Sequence, residues 1–308
     1  MEKIYSHFSS ADGEVEISYY KVIPEDKSEG VIQIVHGMAE HKERYTHFAD
    51  FLAENGYKVY ICDHRGHGKS VNEKIPLGFF AEENGWDKLT EDSAKFTQII
   101  EKENPGEKIF LLGHSMGSFV ARTLMINYSD RYSAVILSGT GGYKKFMMTV
   151  AGKIVNSKIK KIGKKTYSEE INKLVFGGYN KKIKNSSTQF DWLSRNESVV
   201  KNYIDDPLCG FVPTAGFFGD MIYGMGYIFD KNNIKKIRKD INIILFSGEA
   251  DPVGDYGHGI IQSVRIYKDA GIKNVDFKIY PQARHEILNE INNKEVYGDI
   301  LNYIKKIG

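Results

Sequence analysis

Ile109-Phe110-Leu111-Leu112-Gly113-His114-Ser115-Met116-Gly117-Ser118 is the stretch from which the rest of the chain can be read. A short apolar run passes into Gly-x-Ser-x-Gly, and Phe119, Val120, Leu124, Met125 and Tyr128 then recur at helical spacing. The pattern predicts a strand, a sharp turn and a helix, with one serine at the turn. Such a turn strains the serine backbone and lifts its hydroxyl clear of the sheet. Gly113 and Gly117 suit a place where strand and helix cross too closely for side chains. The pentapeptide alone recurs by chance; its flanks give it weight.

Outward from that stretch the chain alternates. Residues 3 to 22 read as a hairpin turned at Asp12-Gly13. Val31 to Val35 is an apolar run ending in His36-Gly37, and Tyr57 to Cys62 is a second one ending in a polar, glycine-rich loop. Helices are expected around Tyr45 to Leu52 and from Asp87 to Glu103. Ser133 to Ser138, Ile241 to Ser247 and Val275 to Tyr280 complete the strands, the last placed toward an edge by its alternation, and a helix through Ile304 closes the chain. The expectation is α/β: a mostly parallel, doubly wound sheet of about eight strands. Gly68-Lys69-Ser70 imitates a phosphate loop, but Asp63 stands where that motif needs its first glycine, so nucleotide binding is rejected.

Between Tyr143 and Asp240 no strand is convincing, so we divide the chain into a core of residues 1–142 and 241–308 and a helical insertion of residues 143–240. Lys153 to Lys184 carries ten lysines against Glu169 and Glu170, a formal balance of 10 − 2 = +8. It reads either as a solvated face or as a surface that touches anionic lipid headgroups. Phe146, Met147 and Met148, then Phe217 to Phe229, are expected to pack the insertion onto the core or to line an acyl tunnel.

Composition narrows the classes. In 308 residues the formal charge is +2, which makes no case for nucleic acid as a partner. Cys62 and Cys209 lie far apart, and Cys62 closes an apolar run, which favours a buried thiol over a disulfide half. The first residues lack the apolar core of a signal peptide, and no apolar run approaches the ~18 residues needed to span a bilayer. A cytoplasmic protein is expected.

A serine hydroxyl needs a histidine to take its proton and a carboxylate to orient that histidine. On a strand–turn–helix scaffold the partners follow in the order serine, acid, histidine, each after a strand. Ser115, Asp251 and His285 satisfy that order. Glu249 and Asp255 rival Asp251, while His258 stands too close behind the acid to have its own strand. The oxyanion hole would use the backbone N–H groups of Met116 and of Met38 in the early loop. His36 reads as a loop organiser. His36, His41, His64 and His67 match no zinc spacing, and no metal is expected.

Taken together, His36-Gly37-x-x-Glu40-His41, Asp63-x-x-Gly66-His67-Gly68-x-Ser70, Gly113-His114-Ser115-Met116-Gly117, Asp251-Pro252-Val253 and His285-Glu286-x-x-Asn289-Glu290 resemble the monoacylglycerol lipase and lysophospholipase branch of the α/β-hydrolases. The resemblance implies a serine esterase acting on monoacyl lipids or related esters, without metal or organic cofactor. It also implies that the insertion is a cap. Glu40 and Arg44 match positions that orient the alcohol part of the substrate, and Gly37 and His114 are further candidate substrate contacts. The chain departs from the pattern at Ala39, where relatives often have glycine. A thioesterase or small-ester carboxylesterase is the nearest alternative, and a catalytically silent binding protein on the same fold is the alternative from another class. An aminopeptidase would need carboxylates in the insertion to hold a substrate ammonium, and the early insertion is basic.

Overall fold

The computed structural model describes residues 1–307. Eight strands form one sheet in the order β1-β2-β4-β3-β5-β6-β7-β8: β1 (Glu2–Ser9), β2 (Glu16–Ile23), β3 (Gly30–Val35), β4 (Tyr57–Cys62), β5 (Ile109–His114), β6 (Ala134–Ser138), β7 (Asn242–Gly248) and β8 (Asn274–Tyr280). The first hairpin pairs antiparallel and lies antiparallel on β4; every other pairing is parallel. β3 and β5 are buried along their whole length, as parallel strands covered on both faces must be. Gln33 is the polar exception in β3, and it is satisfied by Ser93 O at 3.2 Å and Thr97 Oγ1 at 2.7 Å.

The helices are α1 (Thr46–Glu54), α2 (Gly85–Glu103), α3 (Met116–Tyr128), α4 (Lys145–Ile162), α5 (Glu169–Phe176), α6 (Glu197–Asp205), α7 (Ala215–Phe229), α8 (Lys231–Ile234), α9 (His258–Asp269) and α10 (Asn293–Ile307). One core layer packs Phe48 and Leu52 of α1 with Val296 and Ile300 of α10. The other joins Leu89, Phe96, Val120 and Leu124 to Phe217 and Ile228 of α7. The chain therefore winds helices onto both faces of the sheet.

α4 to α8 lie between β6 and β7, and among the described residues that interval contains no strand. α7 is pressed onto the core: a Cβ on Gly224 would fall 2.3 Å from the Trp86 ring, and Phe217 packs on Phe80 at 4.6 Å between centroids. The sequence pattern misplaces Phe146 and Met147, which do not pack on the core but are 81% and 61% exposed. Helical spacing turns Val155, Ile159 and Ile162 toward the core cluster, so Phe146, Val150 and Ile154 fall on the opposite side.

Candidate active site

All of the parallel strands end on one edge of the sheet, and the candidate residues collect there. From Ile109 to Ile126 every residue is buried except Ser115. Ser115 has φ 52° and ψ −122°, the strained conformation expected where strand turns into helix without a connecting loop. A Cβ on Gly113 would lie 2.3 Å from Gly117 O, and one on Gly117 would lie 2.1 Å from Val35 O. Both glycines are required by these approaches.

Asp251 and His285 leave the ends of β7 and β8. Their loops bring His285 Nδ1 to 3.0 Å from each Asp251 carboxylate oxygen. In that arrangement an Nδ1–H donates to the carboxylate and leaves Nε2 free to accept a proton. Burial works to lower the proton affinity of His285, but the Asp251 charge outweighs it, so the imidazole titrates above its ordinary value. Asp251 is fully buried, and its Oδ1 also accepts the Val253 N–H at 2.8 Å. The rivals are occupied elsewhere or turned outward: Glu249 accepts the Gln282 N–H, Asp255 pairs with Lys144, and His258 is exposed.

The serine turn and the histidine meet through their neighbours. His114, one residue before Ser115, has its ring centroid 4.9 Å from that of His285. His114 Nδ1 lies 3.1 Å from Ser138 Oγ, and burial holds its imidazole down at about 4. His114 therefore sits neutral behind the site. The Trp192 ring also lies against His285, tilted by 40° with centroids 5.0 Å apart, and the His285 and Glu286 N–H groups donate to Trp192 O and Leu193 O.

Gly37 passes close over the serine: a Cβ there would sit 3.2 Å from Ser115 Cβ and 2.6 Å from Glu40 Oε1. The Met38 N–H beyond it has no acceptor among the described residues. The Met116 N–H begins α3, where a helix leaves its first amides unpaired. Ala39 adopts φ 51°, which explains why glycine is at home at this position. His36 organises the loop, with Nε2 accepting the His64 N–H at 3.0 Å. Burial keeps His36 neutral, and likewise holds His64 at about 4 and His67 at about 3.

Glu40 and Arg44, which the resemblance makes substrate contacts, are also bonded to protein partners. Glu40 accepts the Gly37 N–H at 2.5 Å and the Tyr45 hydroxyl at 2.8 Å. Arg44 gives one nitrogen to Glu40 and grips both oxygens of Glu286, while its guanidinium lies 4.8 Å from the Tyr203 ring centroid. Three of its N–H groups are thus engaged by carboxylates. No reading of the sequence assigned a role to Glu286, Trp192 or Tyr203; the signal for Glu286 was its place beside His285 in the motif His285-Glu286-x-x-Asn289-Glu290.

One group could hold a metal: His41, Asp206 and Cys209 offer ligand-type atoms within 4.8 Å of one another, with His41 Nε2 and Asp206 Oδ2 already 2.8 Å apart. The chemistry proposed below draws nothing from it.

The chain is similar over 303 residues to the monoacylglycerol lipase of Mycolicibacterium smegmatis, 26% identical and covering 97% of this chain and 96% of that one. It is 24% identical to the monoglyceride lipase of Rattus norvegicus, over 93% of this chain and 88% of the relative. Among solved structures, a thermostable carboxyl esterase from Bacillus coagulans in complex with glycerol superposes with a TM-score of 0.92 at 27% identity, covering 100% of this chain and 99% of that one. These relatives bear out the resemblance to the monoacylglycerol lipase branch, and the architecture is the α/β-hydrolase fold. The model of the serine aminopeptidase S33 family matches residues 26–292, and the chain belongs to that family.

Proposed function

We propose that this chain is a carboxylic ester hydrolase that cleaves monoacylglycerols or related monoacyl esters such as lysophospholipids through an acyl-enzyme on Ser115. The observation that carries the reading is the buried Asp251–His285 pair beside a strained serine turn. His285 takes the Ser115 proton as the hydroxyl attacks the ester carbonyl, then returns it to the leaving alcohol. Asp251 keeps the imidazole in the right tautomer. The Met38 and Met116 amides hold the oxyanion, a contribution on the order of 3 kcal/mol per donor in related sites. Water then hydrolyses the acyl-enzyme by the same relay, and no cofactor is required.

Residues 143–240 act as a cap, with Trp192 covering the His285 ring. The outer face of α4 is the cap's contact with anionic lipid: Phe146, Met147, Val150 and Ile154 are exposed, and Lys145, Lys153, Lys160 and Lys161 lie exposed on the same helix. No helix among the described residues is long and apolar enough to cross a membrane. We place the chain in the cytoplasm, where its two buried free cysteines would stay reduced.

The family also contains aminopeptidases, but the carboxylates nearest the site, Glu40 and Glu286, are both engaged by Arg44 and leave none free for a substrate ammonium. Ser115→Ala should lower ester hydrolysis by about 10⁴-fold or more while leaving the melting temperature nearly unchanged. A fluorophosphonate probe should label Ser115; an unlabelled wild type would favour a silent binding protein. An acyl-chain series on glycerol esters, thioesters and nitrophenyl esters separates the lipase from the thioesterase and small-ester readings.

A further inference from the structure

Arg44, Glu40 and Glu286 form the most heavily charged buried group next to the site. Their side chains are 11%, 4% and 4% exposed. One guanidinium nitrogen donates to Glu40 Oε2 at 2.6 Å and to Glu286 Oε1 at 2.7 Å, and the other donates to Glu286 Oε2 at 2.7 Å. Glu40 spends its second oxygen on the Gly37 N–H, and Glu286 follows His285 directly in the chain. A continuous path of charge-assisted hydrogen bonds thus runs from the oxyanion loop to the residue beside the base. Apolar side chains could hold two loops together without the cost of burying three charges. The retention of three charges here points to an electrostatic task.

We propose that Glu40, Arg44 and Glu286 are a charge-balanced clasp that positions the oxyanion loop against His285 and sets the pH at which that histidine can accept the serine proton. The proposal rests on the reading of His285 as the base. All three are positioning residues, since none touches the reacting atoms.

The charged groups around His285 come from each element packed on it. Asp251, from the loop after β7, favours the imidazolium most, and Glu286 and Glu40 add to it in that order. His114, from β5, is neutral at working pH, the insertion contributes the Trp192 ring and the Tyr179 phenol, which burial keeps protonated, and the Arg284 guanidinium is held by Asp191 O and Ser194 O. Among the described residues, Arg44 is the cation that pairs with both glutamates. Burial works to raise the Glu286 carboxyl, but Arg44 overcomes it and holds the group at about 2, so Glu286 stays charged throughout the working range. Removing the Glu286 charge must therefore make the imidazolium less favourable, and removing the Arg44 charge must make it more so.

The test is the pH profile of kcat/KM on a soluble nitrophenyl ester, whose leaving group lacks glycerol hydroxyls. In Glu286→Gln the acid limb should move down by about half to one pH unit; in Arg44→Gln it should move up by a similar amount. Arg44→Lys keeps the charge but not the fork, so its limb should stay within a few tenths of wild type while kcat falls about tenfold with little change in KM. A structural role alone would lower activity in all three without moving the limbs apart. Glu286→Gln is decisive by itself, because Arg44 keeps Glu40 as a partner and the fold is retained: an unmoved limb overturns the clasp. Loss through KM, confined to glycerol esters, would instead make Arg44 a substrate contact and also overturns it. A wild type labelled by fluorophosphonate but lacking any acid limb would overturn the base reading and the clasp with it, whereas a normal wild-type limb with unmoved variants overturns the clasp alone.

Discussion

Two halves of the insertion meet the rest of the molecule in opposite ways. From Thr188 to Thr214 the chain is tied to the loops that carry the site. Arg284 donates to Asp191 O at 2.6 Å and Ser194 O at 2.9 Å, Arg195 pairs with Glu290, and the Tyr203 hydroxyl and Gly210 N–H both bond Ala39 O at 2.9 Å. Trp192, Leu193, Tyr203 and Cys209 form their own small apolar cluster. From Lys145 to Ile162 the helix α4 instead rests on α7 by one face and leaves Phe146, Met147 and Ile154 about half or more exposed, while Phe176 and Tyr179 beyond it join the Trp192 cluster. The first half can hold the geometry around His285 and the oxyanion loop. The second is free to meet something outside the molecule. Site and docking surface are thereby separated within one insertion.

The sharpest way to break this contrast is Glu290→Ala. Glu290 is 1% exposed and accepts from Arg195 N, Arg195 Nε, Arg284 N and Ile291 N. Its removal leaves the partly buried Arg195 guanidinium with only its Asn292 hydrogen bond and orphans three backbone donors, so stability should fall by about 3–5 kcal/mol in denaturant unfolding. Because Arg284 precedes His285, kcat should fall with it. A loss below about 1 kcal/mol would mean that the fastened half is not fastened there.

A titratable tie joins α7 to α2. Asp220 Oδ2 lies 2.0 Å from where a Cβ on Gly85 would stand, at the start of α2. Burial pushes its carboxyl up to about 7, against the pull of Lys164 and the Gly85 N–H. A carboxyl raised in the folded state adds stability below its unfolded value, and that stability is lost as pH rises through the folded one. Asp220→Asn should therefore gain on the order of 1 kcal/mol over wild type near pH 8 and lose that advantage near pH 4, with melting temperature against pH as the readout. A constant difference across that range would remove Asp220 as the titrating group.

Smaller still is Ala39→Gly. The φ of 51° strains an alanine at the point where Tyr203 and Gly210 grip the oxyanion loop. Relief of that strain, offset by the entropy glycine adds to the unfolded chain, should leave a gain of about half a kcal/mol with kcat unchanged. Destabilisation by more than about 1 kcal/mol would show that the insertion depends on the alanine side chain.

What could be read in advance divides along the same lines. Ser115 was legible because its signal is local: an apolar run, two glycines and a helical period within a few residues. Asp251 and His285 were legible because the topology forces their order, and the structure brings them to 3.0 Å. Arg44 was seen, but its partner Glu286 lies 242 positions away, and no periodicity announces an ion pair at that range. Arg195 and Glu290, 95 positions apart, were invisible for the same reason. Phe146 and Met147 read as core packing or tunnel lining because helical period shows which residues share a face but not which face is covered. The basic interval was read correctly as charge and left open as function, since charge alone does not distinguish water from lipid.

The last test asks whether the loose half has the partner its surface suits. Phe146→Ser with Met147→Ser changes two side chains that are 81% and 61% exposed, so unfolding stability should stay within about 0.5 kcal/mol of wild type. Hydrolysis of a soluble nitrophenyl ester should be unchanged, since the site and its fastened half are untouched. Partition onto vesicles rich in anionic lipid should weaken by about tenfold, because two apolar anchors leave the acyl boundary while the lysines remain. Reversing Lys160 and Lys161 to Glu should weaken partition further on anionic vesicles and leave neutral vesicles unaffected, each lysine contributing about 1 kcal/mol near such a surface. Equal partition of wild type and both variants would return α4 to the status of a solvated face, and the two halves would then differ in fastening alone.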